Sequence, residues 1–220
     1  MLAGVFPVTA YLWKDGMDKQ VQRENTLIER LKETVRFNPH PAGEYTWYHH
    51  TAFPPVTEEH LAYTEALLDF ELPSFLRRLY LEVGDGGFGP GYGLFPLDDD
   101  RSGETIHSDS LLVAYLSMRS MSQKDIDEHY ADEEEKPALW PERVLILCDW
   151  GCNIYSCLNC SSPELPMLRM DSNINFMVEW AIEAPSLQRW LEAWVDGKPL
   201  FDLNWEQATK VSVSHLGRSF

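Results

Sequence analysis

The sequence predicts a mixed fold in which helices and an antiparallel hairpin occupy separate stretches of the chain. Apolar residues recur at intervals of three and four over several segments between residues 19 and 116, as helices with one buried face require. Residues 144–158 read as two short strands around a tight turn. Leu187, Trp190, Leu191, Trp194 and Val195 then form an unbroken helical stripe, with Gly197 just beyond its end. No internal repeat is visible.

Each element has its own local reason. Leu27, Ile28, Leu31 and Val35 place a helix near 19–36. The proline-punctuated stretch Phe37–Pro55, with Trp47, Tyr48, His49 and His50, reads as a loop or irregular strand. Thr57 can cap a helix whose first turn holds Glu58 and Glu59, and Tyr63, Ala66, Leu67 and Phe70 supply its expected apolar stripe. The next helix opens at Pro73, is expected to bury Phe75, Leu76, Leu79, Tyr80 and Val83, and should end at Gly84 as a left-handed cap. Gly84, Gly86 and Gly89 satisfy G-x-G-x-x-G to the letter. This run follows a helix and leads into Pro90, though, and no Gly-Lys-Ser/Thr is present, so it is a sharp turn into a strand at Tyr92–Leu97 and not a nucleotide loop. Leu111, Leu112, Tyr115 and Leu116 predict a helix started near Ser108 or Asp109, and Ser122 with Asp125 a capping box after it. Asp132–Glu135 is a charge run for a solvated loop or helix face, and Met167–Asp171 and Asn175–Trp180 read as strands.

The 220 residues carry 18 Lys+Arg against 35 Asp+Glu, a formal charge of −17. That charge is concentrated: residues 41–100 hold 2 basic and 11 acidic side chains, and residues 101–142 hold 4 and 10. An acidic middle repels phosphate backbones, which argues against direct nucleic-acid binding, and it attracts basic proteins. With 44% hydrophobic and 12% aromatic residues the chain can build a core. It has no 18-residue uncharged apolar window, so no membrane span is expected. The first thirteen residues lack a basic n-region and contain Pro7, which argues against a secretory signal; a cytoplasmic location is expected.

Candidate chemistry is sparse. Cys148, Cys152, Cys157 and Cys160 could in principle close a tetrahedral metal shell, yet structural zinc sites draw two knuckles from well-separated segments. Here Asp149-Trp150-Gly151 makes a hairpin turn, and alternation sends Cys152, Ile154, Ser156 and Leu158 to one face and Asn153, Tyr155, Cys157 and Asn159 to the other. Free thiols acting as small hydrophobes are the expectation, with no metal and no cofactor. His49, His50 and His60 could converge on a metal, but adjacent strand residues point apart. Metalloprotease, nucleophile-elbow and EF-hand motifs are missing from the sequence. Carboxylate pairs fit for glycoside hydrolysis stay open, because their separation is spatial.

Two blocks carry a resemblance. Leu72-Pro73-Ser74-Phe75-Leu76-Arg77-Arg78-Leu79-Tyr80 runs into Val83-Gly84-Asp85-Gly86-Gly87 and Gly93-Leu94-Phe95-Pro96-Leu97. Val144–Leu158, with Trp150-Gly151-Cys152, is followed by Ala184-Pro185-Ser186-Leu187-Gln188 and the Trp190–Trp194 helix. Together these resemble the SUKH superfamily, which includes the yeast cell-wall-synthesis regulator and many bacterial immunity proteins. Gly84-Asp85 stands where that family usually has Asn before its Gly-Gly. The resemblance implies an α+β fold, a largely antiparallel β-sheet packed against several α-helices. It also implies a division into a helix-plus-loop extension (1–55), the SUKH-like domain (56–201) and a tail (202–220).

The implied activity is non-catalytic: an immunity protein that binds and neutralises a cognate toxin, often a nuclease. The alternatives are a regulatory scaffold of the yeast type or a metal-dependent enzyme. The partner expected is a basic toxin domain. Acidic charge beside aromatics makes Tyr92, Asp98, Asp99, Asp100, Asp149 and Trp150 the candidate partner-binding residues, with no catalytic or metal residue assigned.

Overall fold

The computed structural model describes residues 8–37 (side chains from 18 to 35), 52–98, 110–132, 136, 138–173 and 179–216. Its centre is a meander: β1 (Val144–Asp149), β2 (Ile154–Asn159), β3 (Met167–Asp171), β4 (Glu179–Ala184) and β5 (Lys210–Ser212) pair antiparallel in chain order. Six helices surround it: α1 (Val8–Phe37), α2 (Glu58–Leu68), α3 (Ser74–Arg78), α4 (Leu111–Arg119), α5 (Gln123–His129) and α6 (Leu187–Val195). The fold is α+β, as expected. Every residue from Val144 to Cys148 is buried, which is why β1 reads as a continuous apolar run without alternation: both faces of the sheet are covered there.

The helix predicted near 19–36 extends back to Val8, through residues of good helical propensity such as Ala10, Leu12 and Met17. It docks through Leu27, Ile28 and Leu31, which join the same core as α2, α3, the sheet and α6. Gln188 bridges Gln20 and Glu24 of α1 to α6, and the exposed pair Arg30–Asp196 adds little beyond orientation. Val213 and Leu216, beyond β5, lie in that core as well. The stretch 38–51, the expected helix start at Ser108 or Asp109, residues 133–135 of the charge run Asp132–Glu135 and residues 175–178 of the strand expected at Asn175–Trp180 lie outside the described residues.

Several local expectations change. The buried stripe of α2 is Leu61, Thr64, Glu65 and Leu68, whereas Tyr63 and Leu67 are exposed. The helix is rotated because Glu65 points inward, accepting the Leu72 N–H at 2.6 Å and pairing with Arg77, a burial that hydropathy cannot register. α3 passes into a π-helical turn, Leu79–Val83, closed by the Gly84 N–H on the Leu79 carbonyl. Gly84 is extended, not left-handed (φ 171°), and is glycine because a Cβ would lie 2.8 Å from the Phe53 carbonyl oxygen. The left-handed turn comes at Gly86 (φ 74°), where a Cβ would sit 2.5 Å from the Leu94 oxygen.

The strand expected at Tyr92–Leu97 is reduced to one bridge, Leu94 to Cys148, because Pro96 has no N–H to extend a ladder. The segment still lies along β1, with the Phe95 N–H on the Leu147 carbonyl, and so covers the sheet edge. The cap of α4 is Ser110, and the Ser122–Asp125 capping box forms as read. β4 runs on to Ala184, a stretch whose Glu and Ala dilute the strand signal.

Ile28 is wholly buried although it belongs to the N-terminal helix. Ile28→Ala is expected to destabilise the full chain by about 2–5 kcal/mol, read as a lower midpoint in urea unfolding with the slope unchanged. A neutral result would mean that α1 is not part of the cooperative unit.

Candidate functional site

Four of the six candidate residues, Tyr92, Asp98, Asp149 and Trp150, lie among the described residues. Tyr92 and Asp149 meet at the end of β1: the Tyr92 N–H donates to the Asp149 carbonyl at 2.9 Å. The Asp149 carboxylate accepts the Gly151 N–H at 2.6 Å, so it closes the hairpin turn through its own backbone, and both residues are half-buried. A Cβ at Gly151 would lie 2.6 Å from the Tyr92 hydroxyl, which shows how closely the Tyr92 ring lies against that turn.

Asp98 lies six residues on, just past the other end of the covering segment. There its carboxylate meets His60 Nε2 at 2.5 Å, and its side chain is 14% exposed. Asp99 and Asp100 are outside the described residues.

Trp150 is not an exposed anchor; it is 3% exposed and belongs to the core. Its indole N–H donates to Ser156 Oγ at 2.7 Å, and the Arg169 guanidinium stacks 4.5 Å over its ring. Ser156 in turn donates to Glu183 Oε2 at 2.6 Å. Glu183 Oε1 accepts from Arg169 Nη2 and from the Trp190 indole, each at 2.7 Å. Arg169 also donates to the Leu200 carbonyl at 2.8 Å. Both partners of the Arg169–Glu183 pair are 2% exposed.

The register between β3 and β4 explains how the carboxylate reaches inward. Met167 opposes Ala184 and Leu168 opposes Ile182, so Glu183 is the extra residue of a bulge. Sequence reading missed this network because its members lie on β2, β3, β4 and α6, distant from one another along the chain.

A second missed acceptor is Asp85. It is fully buried and its Oδ1 accepts the Leu97 N–H at 2.8 Å. A carboxylate oxygen here does what the side-chain carbonyl of an Asn would do, which accounts for Asp before Gly86-Gly87.

The cysteines are spread as the hairpin dictates. Cys148 and Cys157 are buried, Cys152 is exposed at the turn, and Cys160 is partly covered. Burial raises the thiol pKa values of Cys148, Cys157 and Cys160, with the Glu183 charge adding to the effect at the first two. Among the described residues no group of three or more His, Cys, Asp or Glu is placed to hold a metal ion. His49 and His50 lie outside them.

A groove of about 720 Å³ runs between α4, the segment 138–142 and the 3₁₀ turn Val213–His215. Its titratable side chains include Arg119 and Glu142, which pair at 3.4 Å. No helix of the described residues is long and apolar enough to cross a membrane.

Residues 55–193 match the family model described as the SMI1 / KNR4 family (SUKH-1). That span includes α2 to α5, strands β1 to β4 and α6 as far as residue 193, and therefore the whole buried network except the carbonyls of Leu200 and Phe201. Comparison with curated proteins and with solved structures returns no match.

Two outcomes follow from this geometry. Arg169→Ala leaves the Glu183 carboxylate buried without its cation and is expected to cost about 3–5 kcal/mol in chemical denaturation. Titration of the native protein with a thiol reagent should modify Cys152 fast and Cys148 and Cys157 only on unfolding; rapid reaction of all four would contradict the burial found here.

Proposed function

The chain belongs to the SMI1/KNR4 family (SUKH-1), and from that membership we propose that it is a non-catalytic binding protein of the immunity type, which captures and neutralises a basic toxin domain. The observation that carries this reading is the family match over residues 55–193. The charge supports it independently. A protein of net −17, with its excess acid between residues 41 and 142, is repelled by nucleic acid. It draws in a cationic partner such as the phosphate-binding face of a nuclease. Four cysteines free of disulfides suit the reducing cytoplasm, where such a toxin would have to be met.

The test is co-expression with each product of the flanking reading frames, scored by growth and by pull-down. A complex that weakens as salt rises, and that restores growth against a toxic neighbour, is the expected result. Absence of any toxic neighbour or complex would refute the immunity reading and favour a regulatory scaffold of the yeast type.

A further inference from the structure

The rotation of α2 leaves an apolar face pointing outward. Tyr63 is 61% exposed and Leu67, one turn later, is 44% exposed. α4 packs beside α2, with Tyr115 edge-on to Phe70, and it too exposes apolar side chains, Val113 and Leu116. Exposed apolar residues are ordinary when scattered. Here they are paired at helical spacing on neighbouring helices, and one of them is a tyrosine, a residue enriched among binding hot spots.

The rim of this face selects its occupant. Glu59 lies one turn before Tyr63, and Asp69 and Glu71 follow the end of the helix; all three are exposed. Among the described residues none of the three makes an ion pair, whereas the neighbouring Glu58 and Glu65 are both taken up by Arg77. A second copy of the chain would bring two such acidic rims together, which like-charge repulsion opposes. A nucleic acid is opposed for the same reason. A basic protein surface with an apolar pocket complements both the centre and the rim.

We propose that the outer face of α2 is the docking surface for the basic partner, with Tyr63 and Leu67 as its anchors and Glu59, Asp69 and Glu71 as the charges that steer the encounter. The inference rests on the immunity reading and gives that reading an interface, distinct from the hairpin end at Tyr92 and Asp149.

The probe is the purified toxic product of the flanking reading frame that this chain neutralises. All measurements are made with the full chain. Hydrogen exchange of the wild-type complex is expected to show protection over 58–71. In calorimetry the Tyr63→Ala, Leu67→Ala double variant is expected to bind at least about tenfold more weakly. Glu59→Lys with Asp69→Lys should lower the dependence of affinity on salt. Near-native thermal melts for these surface variants would separate lost contact from lost fold. Protection confined to 90–93 and 149–153, or variant affinities within about twofold of wild type, would overturn the proposal while leaving immunity intact. If the wild-type chain itself binds no flanking product, the immunity reading fails first, and this interface with it.

Discussion

The buried pair Arg169–Glu183 is the constraint around which the rest of the molecule is arranged. Two ions taken out of water cost several kcal/mol each unless every lone pair and proton finds a partner. Beyond their mutual contact the two ions are met by a serine on β2, the indole on α6 and the Leu200 carbonyl, while the Trp150 ring stacks on the guanidinium and its N–H holds the serine. The bulge between β3 and β4 exists at the position that turns Glu183 inward. Once the pair is in place, it fixes the register of three strands and the seating of α6, because a slip of one residue would orphan a charge.

Around this node the fold resolves two further problems by close backbone approach. The open side of β1 is covered by residues 92–97, held by hydrogen bonds to Asp149 and Leu147 rather than by a full ladder. To reach it the chain must reverse after the π-helical turn, and Gly86 supplies the left-handed conformation while the buried Asp85 carboxylate receives the Leu97 N–H. α1 lies outside the span matched by the family model, yet Leu27, Ile28 and Leu31 complete the core against α6 and the π turn. The extension is therefore part of the packing that orients α6, not a tether beside it.

The candidate site shows where local reasoning stops. Acid beside aromatic made Tyr92, Asp98, Asp99, Asp100, Asp149 and Trp150 attractive as a group. In the fold Trp150 serves the interior, Asp149 closes its own turn, and Asp98 pairs with His60 at the far end of the covering segment. The apolar face left in the open belongs to α2, whose stripe was expected to point inward. Which side chains α2 exposes accordingly follows from which carboxylate the core accepts: with Glu65 buried, Tyr63 and Leu67 face outward.

By itself the sequence determined what depends on neighbours along the chain. The closing helix with its tryptophans, the capping box at Ser122 and the hairpin around Trp150 follow from periodicity and turn chemistry within a few residues. The acidic charge is likewise legible in the composition alone. Only the tertiary structure decided which polar groups go inside, since a buried carboxylate is tolerable solely where a cation and hydrogen-bond donors converge on it from distant segments. That decision set the rotation of α2, the extent of β4 and the burial of Trp150, and with them the surface that remains for a partner.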